Sequence, residues 1–105
     1  MTFINLTPHE IHEVYTDQYI PSTGLARIDM VSTEVDKYDN VPIYRSEYKG
    51  SLQGLPAPKE GVIYIVSALA LNAVPEDRND VVAPGSLVRD KDGNPTGCRG
   101  FRIKW

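Results

Sequence analysis

The five residues Val62-Ile63-Tyr64-Ile65-Val66 constrain this chain more than any others. All are β-branched or aromatic, and none is polar. Such a run suits a strand at the centre of a sheet, covered on both faces. The apolar stretch continues to Val74 but is broken by Ser67 and Asn72, so it is too short and too polar to span a bilayer. From Ala68 to Ala73 the residues are good helix formers apart from Asn72. Ser67 can cap that helix through its hydroxyl, and Pro75 limits its length. A helix of about two turns is expected there, from the pattern alone.

Around this centre the pattern is one of strands and turns. Thr2 to Leu6 reads as a strand that Thr7-Pro8 ends, because proline cannot donate to a sheet ladder. Ile11 to Tyr15 reads as a second, with a turn at Asp17-Gln18 and another at Pro21 to Gly24. Leu25 to Val31 alternates, placing Ala26, Ile28 and Met30 on one face of a half-buried strand. Thr33 to Asp36 is ambiguous, Lys37 to Asn40 reads as a loop, and Val41 to Tyr48 as a strand. Gly50 to Gly61, with its glycines and prolines, reads as a surface loop. Leu87 to Arg89 and Thr96 to Lys104 form a hairpin with Asp92-Gly93 at its tip. The expected fold is α+β: a small, mostly antiparallel sheet of roughly six to eight short strands with one short helix.

At 105 residues the chain has too little apolar surface to divide between two domains, so residues 1–105 read as a single domain. A core this small gains from association, which favours a homo-oligomer. The formal net charge of −3 argues against broad binding to DNA or RNA, which needs a basic face. Cys98 is the only cysteine, so no intrachain disulfide forms and a cytoplasmic location is expected. The opening MTFINLTPHE has no basic region followed by a long apolar stretch, so no secretory signal is read.

Metal and nucleophile chemistry find little support. His9 and His12 are three apart on a strand-like stretch, which sends them to opposite faces, and no third histidine or cysteine pair completes a ligand set. No metal and no cofactor is expected. Cys98 lies beside Arg99, which could lower its pKa, but a lone cysteine in a strand is more often a small buried hydrophobe. Ser67 loosely resembles a nucleophile elbow without the glycines of that motif. No acid–base pair is identifiable, so binding is favoured over catalysis.

Anion binding is the better-supported chemistry. Ser67 would place a hydroxyl and free helical N–H groups at the end of a central strand. Asn72 lies in the same helix. Arg27, Arg78, Arg89 and Arg99 can each donate to phosphate oxygens, or can simply pair with nearby aspartates. Asn5, Thr7 and His9 gather polar side chains at the end of the first strand, as ligands or as a turn bonding its own backbone. Six tyrosines and one tryptophan could stack on a base, or fill the core and subunit interfaces.

Four segments carry a resemblance: NLTPHEI at 5–11, IPSTGLAR at 20–27, GLPAPKEGVIYIVSALA at 54–70 and RNDVVAPGSLVRDKDGNPTGCRGF at 78–101. The chain resembles a family of small phage and prophage proteins with an N-terminal NLTPH motif and a C-terminal PGxLVRDxxGxxxGCRGF motif. That resemblance implies expression in a host cytoplasm and, by context, a role in countering host defence. One such role is a sponge that sequesters a nucleotide immune signal, a cyclic nucleotide or an ADP-ribose derivative. The expected function is therefore a homo-oligomeric binding protein for a small phosphorylated ligand. The rivals are a small enzyme acting on a nucleotide, and a protein–protein module that inhibits a host enzyme or contributes to the phage particle.

Overall fold

The computed structural model describes residues 1–104, with residues 48–51 described through their backbone only. Eight strands and one helix follow in the order β1 (Thr2–Asn5), β2 (Ile11–Glu13), β3 (Gln18–Ile20), β4 (Arg27–Tyr38), β5 (Val41–Gln53), β6 (Val62–Ile65), α1 (Ala68–Leu71), β7 (Val81–Arg89) and β8 (Pro95–Arg102). Six strands form one sheet in the order β1-β6-β7-β8-β2-β3, and β4 and β5 form a separate two-stranded ribbon. No helix among the described residues is long and apolar enough to cross a membrane.

The strand at Val62 takes the central position its composition demands. β6 is parallel to β1 on one side and to β7 on the other. β8 is antiparallel to β7 and parallel to β2, and β3 is antiparallel to β2. The sheet is therefore mixed, not mostly antiparallel as the pattern of short strands suggested. The reason is connectivity. Residues 66–80, carrying α1, cross over from β6 to β7, and parallel neighbours require a crossover of about a dozen residues or more.

The sheet curls until its two edges meet. Asn5, at the end of β1, bridges Ser22, just beyond β3, and Thr23 N–H donates to the Asn5 carbonyl at 3.0 Å. Closure hides strand edges that would otherwise be free to pair with other chains. Inside lie Ile11, Ile20, Ile65, Val82 and Cys98, with Phe3, Ile63 and Phe101 packed against them. Each of the six strands contributes to this interior. Alternate residues face outward into a second core of Leu6, Ala26, Tyr64, Val66, Val81 and Ala83, covered by Ala70, Leu71 and Val74 of the α1 region. The run at β6 is apolar throughout because it serves both cores.

α1 is one turn of four residues, shorter than the two turns expected. Tertiary packing of Ala70 and Leu71, not local propensity, sets its extent.

The ribbon is the larger departure. β4 runs unbroken through the ambiguous stretch at Thr33 to Asp36, and β5 extends to Gln53, well into the presumed loop. Asp39 and Asn40 both adopt positive φ, 49° and 65°, giving the two-residue turn whose twist matches a hairpin. The half-buried strand expected at Leu25 to Val31 is exposed at Met30 and Val31, because the ribbon leaves the body there. β4 and β5 pack extensively only on each other. Their base is held by Ala26 and Leu52 against the outer core. A compact chain of this length has a radius of gyration of about 13 Å; here it is 16.4 Å, with a longest dimension of 52 Å.

Candidate functional site

The NLTPH corner is built around Asn5, which is fully buried. Its Nδ2 donates to the carbonyls of His9 at 2.7 Å and Ile20 at 2.9 Å. Its Oδ1 accepts from the Thr7 N–H at 2.9 Å and the Thr7 hydroxyl at 2.7 Å. Both amide hydrogens and both acceptor positions are thus in use. Thr7 is buried as well, and its carbonyl accepts from the Ser22 hydroxyl. These two side chains hold the corner together and spend their bonding on the backbone. His9 is exposed and contributes to the corner through its carbonyl.

Ser67 caps α1 as expected, its Oγ accepting from the Ala70 N–H at 3.1 Å. A single turn sums few peptide dipoles and keeps few free donors, so the anion-binding capacity foreseen there is small. Asn72 is exposed at the end of that turn. Arg78 Nε and Nη2 bind Asp80 at 2.9 and 3.1 Å, and Nη2 also reaches the Pro56 carbonyl at 2.9 Å. The hydrogen bond that Arg78 donates to Asp80 raises the Arg78 pKa further, and the same bond holds the Asp80 carboxyl below its ordinary value. Arg89 donates to the Gly93 carbonyl at the hairpin tip, at 2.8 Å. Arg27 and Arg99 are exposed at the start of β4 and the middle of β8. Arg78 is tied to the outer loops and Arg89 to its own hairpin, and among the described residues neither bonds Ser67.

Glu13, beside His12, has a structural role that its place in the sequence pattern did not signal. Its carboxylate is buried at the end of β2. It accepts from the Tyr15 N–H at 2.7 Å, the Thr16 N–H and hydroxyl at 2.9 Å each, and the Gly100 N–H at 3.4 Å. Burial pushes its pKa up, but these donors outweigh burial and leave the carboxyl below its ordinary value. Cys98, nearly fully buried, is pushed the other way by burial and by the Glu13 charge. Its thiol behaves as a small apolar side chain and not as an activated nucleophile.

A pocket of about 340 Å³ opens between the β7–β8 hairpin and β2, lined by His9, Ile11, His12, Tyr19, Leu87 and Thr96 among others. The His12 ring lies flat on Tyr19, with centroids 4.2 Å apart and planes 3° off parallel, and its Nε2 meets Asp17 Oδ1 at 2.8 Å. Of the residues singled out for ligand binding, His9 alone borders this pocket. Trp105 and the Tyr48 side chain, considered for stacking, lie outside the described residues. Among the described residues, no group of three or more His, Cys, Asp and Glu could hold a metal ion.

No protein-family model, curated protein or solved structure matches this chain.

The ribbon provides a second surface. Val31 pairs with Glu47, Thr33 with Arg45, Asp36 with Ile43 and Tyr38 with Val41. A register shift between Glu34 and Asp36 leaves Val35 and Asp36 together opposite Ile43. Because of that bulge, the even-numbered residues beyond it join the face held by odd-numbered residues before it. Val31, Val35, Tyr38, Val41 and Ile43 therefore share one face, at 41%, 48%, 64%, 59% and 38% exposure. The opposite face carries Met30 and Tyr44, 53% and 58% exposed, with Pro42, Glu34, Lys37 and the hydroxyls of Ser32 and Ser46 3.5 Å apart. The first face is the richer in apolar side chains, with Asp36, Arg45 and Glu47 among them, and nothing among the described residues covers it.

Proposed function

We propose that this protein is a protein–protein association module in which the curled sheet is the platform and the β4–β5 ribbon is the docking arm. The observation that supports this is the apolar ribbon face. An isolated two-stranded hairpin is marginally stable in water, and this one spans about 40 Å at the usual rise per residue. Five solvent-facing apolar side chains on one side of such an arm gain free energy only when a partner covers them. The reading takes up the protein-binding alternative and fits a small protein of phage type that blocks a host enzyme or joins a particle.

A photoreactive residue at Val41, activated in the expressing cell, tests it. Adducts to protein should form from Val41 and not from Lys91 at the tip of the other hairpin. No protein adduct from Val41 overturns the reading.

A second reading keeps the small phosphorylated ligand, a cyclic nucleotide or an ADP-ribose derivative. The pocket between β2 and the β7–β8 hairpin supports it, since the volume lies at the low end for small-molecule sites and the His12–Tyr19 stack offers a flat surface to a base. Titration calorimetry with a nucleotide panel checks it. Binding should be lost in His12→Ala, and the bound compound should return chemically unchanged. Affinities no tighter than millimolar across the panel overturn it.

A further inference from the structure

We infer that the occupant of the ribbon's apolar face is the same face of a second copy of this chain, packed antiparallel about a two-fold axis that passes between Ile43 and Arg45. This rests on the association reading above and names its partner. The argument is from charge and register. Counted from the tip, the face presents Tyr38 with Val41, then Val35 and Asp36 with Ile43, then Thr33 with Arg45, then Val31 with Glu47. Successive rows are two residues apart on β5, so the face is about 20 Å long.

Two such faces can meet with their ribbons parallel or antiparallel. In the parallel arrangement each row meets its own copy. Arg45 then lies level with Arg45 of the other protomer, and Glu47 with Glu47, which is unfavourable twice over. The antiparallel arrangement, with the axis between the second and third rows, places Asp36 level with Arg45 of the other protomer, and Arg45 level with its Asp36. The same operation sets Tyr38 and Val41 over the row of Val31 and Glu47. At each end Tyr38 and Val41 meet Val31, with Glu47 beside it and no like charge opposite, and in the middle Asp36 and Arg45 meet as opposite charges. A two-fold interface requires this self-complementarity, and the face supplies it without any change of register. The two bodies then sit at opposite ends of the paired arms and do not compete for space.

The size of the face sets the strength. About 20 Å by two strands falls short of the roughly 800 Å² per partner of a standard stable interface. The dimer should be reversible and dissociate on dilution through the micromolar range.

Sedimentation equilibrium of the full chain over a concentration series tests the pairing. Wild type should shift from dimer to monomer with dilution. Asp36→Arg and Arg45→Asp should each weaken dimerisation at least tenfold, since each change places two like-charge contacts in the interface. The double swap D36R/R45D should restore it to within about threefold of wild type. Both positions of substitution are exposed, and far-ultraviolet circular dichroism should show the sheet unchanged. Single variants that dimerise as wild type does, or a double swap that fails to recover, overturn the pairing. The Val41 adduct separates the two claims. Twice the monomer mass supports both. Any other protein mass leaves the association reading standing and overturns self-pairing, and no adduct overturns both.

Discussion

Asn5 and Glu13 plug opposite ends of the curled sheet. β2 runs against β1 through the ladder of strand directions, so Asn5 at the end of β1 and Glu13 at the end of β2 lie at opposite openings of one interior. Both are buried, and both have their polar atoms bonded. A barrel-like closure this small has few side chains with which to seal its ends. It uses polar residues that bond the chain's own backbone, which is permitted because their partners are complete.

Replacing Asn5 should therefore cost more than its size suggests. Asn5→Ala removes four hydrogen bonds, taking the Nδ2 donor from the Ile20 carbonyl and leaving the His9 carbonyl with the Thr7 hydroxyl. The expected loss is about 3 kcal/mol, measured by denaturant unfolding. Asn5→Asp retains the shape but replaces two donors with lone pairs facing those carbonyls. It should be worse than alanine at neutral pH and improve on acidification. If Asn5→Ala unfolds at the wild-type denaturant concentration, the corner does not depend on this side chain.

Glu13 and Asp80 set the response to acid. Both carboxyls are held below their ordinary values of 4.5 and 3.8 in the folded chain. The unfolded chain therefore binds protons more readily than the folded one in this range. The stabilisation is complete above about pH 5 and is lost as pH falls through and below those ordinary values. Thermal midpoints should be flat from pH 6 to 8 and fall steadily below pH 4.5. Glu13→Gln should lower the midpoint at pH 7, because its amide meets the Tyr15 and Thr16 donors with a donor of its own. Its curve against pH should be shallower than that of wild type between pH 5 and 3.

Gly85 permits the close approach of β7 to β8. A Cβ there would lie 2.3 Å from the Arg99 carbonyl oxygen and 3.0 Å from that of Gly100, both backbone atoms that cannot swing aside. Gly85→Ala should lower stability by about 2–4 kcal/mol, whereas Gly93→Ala, with nothing within 4 Å, meets only the strain of its positive φ, about 1 kcal/mol. Paired urea melts of the two variants measure the difference, and equal midpoints would contradict it.

Local sequence determined what depends on neighbours along the chain. The run at Val62 to Val66 specified a strand buried on both faces, Ser67 specified a cap, and Asp92-Gly93 specified a hairpin tip, because periodicity, capping and turn chemistry are short-range. Sequence also fixed the two-sided hydrogen bonding that Asn5 and Thr7 can offer. Tertiary structure decided the rest. Whether β6 pairs in parallel depends on crossovers that propensity does not see. Whether Glu13 is a solvated strand residue or the plug of a closed sheet depends on Gly100, 87 residues away. The apolar residues from Val31 to Ile43 scatter along the sequence without a clean alternation. They form one face only because a single bulge at Val35 shifts the register of β4 against β5, and a register is a property of two strands together. The short helix at Ser67 is a single turn whose Ala70 and Leu71 cover a core, and the exposed ribbon exists because the turn at Asp39-Asn40 folds β5 back on β4.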